Sequence, residues 1–362
     1  MKLPSKPRVL FISEPHGGPY EYIFGNFHLA FARIGCEYSL LNPYTTTPDL
    51  FRSRVAAFRP DIIFGMLRST EPVRIVARLL DDYHPTVALN WFQEDPNNVT
   101  EQMLQCSSSF DYWFTQDPRT VPFWKTRAYF SPHAFDETVY DDQRLERIYD
   151  VSYVGHLGNP LCKAMLWPYM EALSRRGQKA LICTERPMGP PLMPHQIERF
   201  LRWKRSRRVL QALPVWRCGW QNPRNEKDKA LVVNRSKIHF GLSRVRGDWE
   251  QNVRRLLPKY PLDAHGLFCQ CKGRLFHAVG AGALALIDQS PELEEMFEIG
   301  KEIVSYQFGN VAEMEDKLKY YLTHDAERER IARAGYARGR KQHTFTARIA
   351  QILDELNGDS TA

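Results

Sequence analysis

Short apolar runs of strand length alternate along this chain with longer stretches whose apolar residues recur at helical spacing. Residues 8–13 (RVLFIS) predict a buried strand, and residues 20–34 carry the helical spacing that follows it. The same alternation predicts strands at 38–41, 60–65, 86–92 and 112–115, with helices over 49–58 and 71–81 between them. Strands that alternate with helices imply a parallel, doubly wound α/β sheet, whose ligands bind beyond the carboxyl ends of the strands. Three loops then face a site: 16–18, 93–96 and 116–118.

The pattern breaks over residues 136–150 (DETVYDDQRLERIYD), a charged segment that reads as a linker. A second strand and helix series begins at residues 149–155 (YDVSYVG). It continues through a helix at 161–175, a strand at 180–183, a strand at 237–242 that exits into SRVR (243–246), and a strand at 302–306. Helices at 311–322, 326–341 and 344–356 close the chain. Two domains are expected, over residues 1–143 and 144–342, with the last helix, 343–362, set apart.

Residues 272–288 (KGRLFHAVGAGALALID) organise the second half. They predict two basic side chains at the start of a short helix, a Gly-Ala-Gly end, and a buried strand over 283–287. Lys272 and Arg274 at a helix start suit an anion, because unpaired backbone N–H groups and the positive end of the dipole act together there. The same pattern also fits an ordinary helix-turn-strand with a solvated basic edge.

Composition narrows the class. The chain has 362 residues, 43% hydrophobic and 25% charged, with a formal charge of +7. That describes a globular protein large enough for two cores and compatible with an anionic partner. No apolar stretch reaches membrane-spanning length, and the opening residues lack a signal-peptide core, so a cytoplasmic location is expected. The seven cysteines are scattered without paired zinc-site spacing, which favours free thiols. The densest basic cluster, residues 202–208 (RWKRSRR), fits a solvated face of an amphipathic helix. The glycines at 17 and 18 permit close approach to a ligand but fail the dinucleotide fingerprint. Glu94 and Asp95, adjacent carboxylates at a strand end, could act as a base or hold a hydroxyl, and an Asp-Pro there also starts helices. His16, His133 and His156 lie at other strand ends.

The order of residues in the second half resembles the spore-maturation (CgeB-type) glycosyltransferase-like proteins, of two-domain GT-B architecture. The matching pieces are residues 149–155, 237–242, 274–283 (RLFHAVGAGA), 291–297 (PELEEMF), 300–304 (GKEIV), 320–324 (YYLTH), 331–335 (IARAG) and 343–345 (HTF). Residues 91–96 and 110–114 agree more loosely. The resemblance implies two Rossmann-like domains facing across a cleft, the first on the acceptor side, the second holding a nucleotide-diphosphate sugar, and the last helix crossing back to the first. The donor-side residues it implies are Gly155, His156, Arg244, Lys272, Arg274, His277, Gly280 and Glu292. The donor would be UDP- or GDP-linked, with basic side chains in place of a metal. A base, His16, Glu94 or Asp95, would activate a hydroxyl on an unidentified acceptor, whether glycan, small molecule, protein or modified DNA base. Related sequences carry Glu at the position of His277, so this chain departs from its apparent relatives where ribose would bind. Two rival readings are a DNA-modifying glycosyltransferase, supported by the basic charge, and a non-catalytic binding or assembly protein that keeps the fold.

Overall fold

The computed structural model describes residues 3–14, 26–93, 98–155, 167–173, 179–183, 219–221, 225–245, 255–257, 260 and 268–359. The chain divides into two compact units, Met1–Asp136 with Asp248–Phe268 and Gln342–Ala362, and Glu137–Gly247 with Cys269–Lys341.

In the first unit, β1 (Val9–Ser13), β2 (Tyr38–Leu41), β3 (Ile62–Met66), β4 (Val87–Phe92), β5 (Tyr112–Thr115) and β6 (Arg127–Phe130) form one sheet in the order β2-β1-β3-β4-β5-β6. Every pairing is parallel. The helices α1 (Leu29–Arg33), α2 (Pro48–Phe58), α3 (Thr70–Asp82) and α4 (Glu101–Cys106) connect these strands. Local chemistry marks their ends. The Thr47 hydroxyl accepts from Leu50 N–H with Pro48 at the first helical position, and the Thr100 hydroxyl accepts from Met103 N–H. β6 and α4 escape the sequence pattern because β6 is a four-residue, half-exposed edge strand and α4 is barely two turns long.

The core of this unit gathers Phe27, Phe31, Phe64 and Trp91 with Phe345, Ile349 and Ile352 of the C-terminal helix, Phe345–Asp359. Phe27 meets Phe345 edge to face at 5.2 Å. Tyr260 also belongs to this unit: its hydroxyl donates to the buried Asp117 at 2.5 Å, and the Arg119 guanidinium lies 5.2 Å from its ring. Sequence order gives no hint of that pairing.

The second unit holds β7 (Tyr149–Val154), β8 (Ala180–Cys183), β9 (Gly219–Gln221), β10 (Ser236–Gly241), the short β11 (Arg244–Val245), the second residue of β12 (Phe268–Cys269), β13 (Leu284–Asp288) and β14 (Val304–Tyr306). Its sheet runs in the order β14-β13-β10-β7-β8-β9, again parallel. The helices here are α5 (Glu226–Asn234), α6 (Gly273–Gly280), α7 (Leu293–Met296), α8 (Val311–Thr323) and α9 (Asp325–Gln342). Met314 and Leu318 of α8 and Ile331 and Ala332 of α9 close one core with Val151, Tyr153, Ile238, Phe240, Leu284 and Leu286.

The segment read as a linker does structural work. Arg147 donates to the carbonyls of Asn234 at 2.7 Å and Gly282 at 2.8 Å, gathering the C-terminal ends of α5 and α6 under one guanidinium. A cation there also opposes the negative end of both helix dipoles. Gly282 adopts φ +68, and a Cβ on it would lie 2.9–3.0 Å from the Asp142 carboxyl group.

Close packing makes one glycine of α9 sensitive. A Cβ on Gly335 would stand 2.2 Å from the Glu302 carbonyl oxygen, a backbone atom with little freedom to move. Gly335→Ala is therefore expected to destabilise the protein by about 1–3 kcal/mol, the usual range for overpacking. Thermal or urea unfolding checks this, and an unchanged midpoint would contradict it.

Candidate functional site

β7 is the turning point of the second sheet: the chain moves outward to β8 and β9 on one side, then to β10 and β13 on the other. A ligand crevice is expected beyond the carboxyl ends of β7 and β10, where strand order reverses. Gly155 follows β7, Leu242 and Ser243 follow β10, and α6 begins beside them.

Arg274, in the first turn of α6, reaches across this point. It donates to the Leu242 carbonyl at 2.9 Å, its guanidinium carbon lies 5.3 Å from the Tyr153 ring centre, and its Nε has no hydrogen-bond partner. A Cβ on Gly155 would come within 2.7 Å of the same guanidinium, so glycine leaves the space it occupies. Lys272 is the N-cap of α6, and its ammonium donates to Gln270 Oε1 at 2.6 Å. No acidic residue sits in the first turn of α6, so the helix itself supplies no carboxylate against its positive end. Glu292 is buried and accepts from Cys271 N–H at 2.5 Å, which anchors the backbone just ahead of the helix.

Arg244 is engaged differently from what its sequence position suggests. It donates to Asp288 at 2.9 Å and to the Gln289 carbonyl, and it lies 5.1 Å from the Phe308 ring centre. Asp288, fully buried at the end of β13, also accepts from Ser243 N–H at 2.5 Å. Burial pushes its pKa up to about 6, against the opposing pull of Arg244 and Ser243. Gly280 ends α6, about 10 Å along the axis from Gly273 at 1.5 Å per residue. It serves the turn into β13 and lies away from Arg274.

His277 departs from the ordinary behaviour of an imidazole. Its ring stacks on Tyr140 at 4.3 Å and 4°, and its Nε2 lies 4.0 Å from Glu226, which accepts from the Tyr140 hydroxyl and from Lys229. Burial first, then Lys229 and Arg274, lower its pKa to about 3, so the ring is neutral between pH 6 and 8. Glu226 and Tyr140 are partners that sequence spacing could not supply. Beneath them His239 shares a 2.9 Å hydrogen bond with Ser152, and burial lowers its pKa to about 3 as well.

The structure thus brings Gly155, Lys272, Arg274 and the start of α6 together, with Glu292 behind them. His156, His16, Glu94 and Asp95 lie outside the described residues. His133 follows β6, where its carbonyl accepts from Arg348 at 3.1 Å. Sequence reading missed Glu14, a buried carboxylate after β1 that accepts from Arg68 N–H at 2.7 Å and Ser69 N–H at 3.1 Å at the start of α3. Its signal was a lone acid closing an apolar run. Among the described residues no group of His, Cys, Asp and Glu is placed to hold a metal ion, and no helix is long and apolar enough to cross a membrane.

Comparison with known proteins agrees with this architecture. A family model described as glycosyl transferase-like matches residues 195–354. No curated protein matches the chain in sequence. Among solved structures, a sucrose-phosphate synthase from Thermosynechococcus elongatus aligns over 98% of this chain and 100% of its own with a TM-score of 0.62 and 10% identity. Alr3699/HepE from Anabaena, solved in complex with UDP, aligns over 97% and 100% with a TM-score of 0.60 and 11% identity. A glycosyltransferase from Rickettsia africae aligns over 96% and 97% with a TM-score of 0.60 and 10% identity. The chain has the fold of GT-B glycosyltransferases, two Rossmann-like domains each built on a parallel sheet.

Proposed function

We propose that this chain is a glycosyltransferase that takes a sugar from a UDP- or GDP-linked donor and passes it to a hydroxyl acceptor, with basic side chains doing the work of a metal. The observation that carries the reading is Arg274, a guanidinium at the β7/β10 turning point with an unpartnered Nε beside the acid-free start of α6. A diphosphate is the ligand such a place suits, since guanidinium and helix N–H groups both donate to phosphate oxygens. That Alr3699/HepE was solved with UDP and with UDP-glucose supports the choice of donor. The likeness of the second half to the spore-maturation type supports the same activity.

In this reading Arg274 and Lys272 stabilise the charge that develops on the departing diphosphate, and the start of α6 adds its backbone donors. Gly155 makes room for the guanidinium, and Glu292 fixes the backbone that presents Lys272. Arg244 acts one step back, through Asp288 and Ser243 at the end of β10. His277 shapes the neutral wall with Tyr140, and Gly280 sets the packing of α6 on β13. His156 remains a proposed donor contact. His16, Glu94 and Asp95 are the proposed bases on the acceptor side.

UDP is expected to raise the melting temperature of the full chain, because a ligand that binds only the folded state stabilises it. Arg274→Ala should weaken UDP by about tenfold to a hundredfold, the range for a hydrogen bond to a charged group, with its own melting temperature little changed. Donor hydrolysis should also survive excess EDTA. Stronger stabilisation by NAD than by UDP, or activity lost to chelator and restored by manganese, would overturn the respective parts.

A further inference from the structure

The carboxyl ends of β4, β5 and β6 carry a row of polar side chains that donor binding does not use. Phe92 pairs with Thr115, and Thr115 with Phe130. The ladder runs one residue further, Gln116 N–H donating to Phe92 O at 3.3 Å and Ser131 N–H to Thr115 O at 2.8 Å. Gln93, Gln116 and Ser131 therefore stand abreast on neighbouring strands, about 4.8 Å apart. The two-residue period puts them on the face that carries Trp91, Phe114 and Tyr129.

All three are at least nine-tenths buried, with exposures of 4%, 4% and 3%. Gln93 Nε2 donates to the Ser131 carbonyl at 3.4 Å, yet Gln93 Oε1, Gln116 Oε1 and Ser131 Oγ have no hydrogen-bond partner. Buried polar atoms are kept where something completes them, so three bare oxygens in one row mark a place for an outside donor. Asp117, next in the chain after Gln116, is already satisfied: it accepts from Arg119 at 2.8 and 3.0 Å and from Tyr260. The row is neutral. Two amide oxygens only accept, whereas a hydroxyl can give or take, so a phosphate or carboxylate would meet repelling oxygens and an alcohol would not.

We propose that Gln93, Gln116 and Ser131 form a subsite for a neutral polyhydroxyl compound, a sugar or sugar-like alcohol, whose hydroxyls donate to the two amide oxygens while Ser131 gives or accepts the third bond. Taken with the glycosyltransferase reading, on which this step rests, the occupant is the acceptor.

The test uses the full chain and three probes: methyl α-glucoside, myo-inositol and glycerol. Ligand-observed NMR is expected to show saturation transfer to at least one of them in the wild type. Gln116→Met should weaken that probe by about threefold to tenfold, the loss of one hydrogen bond between neutral groups, with UDP affinity unchanged. Should Gln116→Met fail to fold, Ser131→Ala gives the same readout with a smaller change. No transfer to any probe, or equal transfer in wild type and variants, would mean that ordered water alone completes the row and the proposal falls. The two readings separate cleanly. UDP binding without probe binding removes only the subsite, whereas Gln116-dependent probe binding without UDP binding removes only the donor assignment.

Discussion

Asp288→Ala is expected to cost about 3–5 kcal/mol of stability, the range for removing one partner of a buried ion pair. The carboxylate is fully buried at the end of β13 and carries both the Ser243 N–H and the Arg244 guanidinium. Without it, Arg244, with only 10% of its side chain exposed, would be left with a carbonyl and an aromatic face. Asp288→Asn should fall between the two, since an amide oxygen still accepts from Ser243 while the charge is gone. Urea unfolding of the three proteins orders them. A loss below about 1 kcal/mol in the alanine variant would mean that Arg244 swings into water when released, which is what exposed pairs do.

The second large effect is on acid stability, through His239 and His277. Both are buried neutral with pKa values lowered to about 3, whereas an unfolded histidine titrates near the ordinary value of 6.5. The unfolded chain therefore binds more protons than the folded one between these limits, and stability falls as pH drops below about 6.5. Asp288 works the other way: its folded pKa of about 6 exceeds the ordinary 3.8, so over that interval the folded chain binds the extra proton. Two protons taken up against one released leaves a net uptake of about one at pH 5, or roughly 1.4 kcal/mol lost per pH unit. His277→Gln should bring that slope close to zero. The groups facing His277, Tyr140, Glu226, Lys229 and Arg274, stay in place in this variant, so the comparison isolates one proton. Urea unfolding at several pH values between 5 and 7 reads the slopes directly, and equal slopes in wild type and variant would show that His277 is charged in the folded protein. The same burial predicts that UDP affinity has the same pH profile between 6 and 8 in both proteins, contrary to what the imidazole's ordinary pKa suggests.

Much of the fold was legible because it is periodic. Residues 8–13, 38–41, 112–115 and 180–183 are apolar runs bounded by polar turns, and they became β1, β2, β5 and β8 almost residue for residue. Residues 272–288 were legible for a second reason: Lys272, Arg274 and the glycines at 280 and 282 mark a helix start and a helix end by their own backbone chemistry. Such signals act within a few residues, so the sequence by itself determined most of the strands and helices, the parallel class of both sheets, and the basic start of α6.

Tertiary structure decided whatever depends on partners distant in the chain. Arg147 looked like one charge in a linker, and only folding brings the ends of α5 and α6 to it. Arg244 looked available to a diphosphate until β13 placed Asp288 beside it. An isolated imidazole titrates near neutrality, but Tyr140 covers His277 and burial removes its proton. Gln93, Gln116 and Ser131 lie on separate strands, and only the parallel register sets them abreast. The physical reason is the same each time: periodicity and caps are local, whereas desolvation, ion pairing and hydrogen-bond satisfaction depend on which distant group the fold delivers.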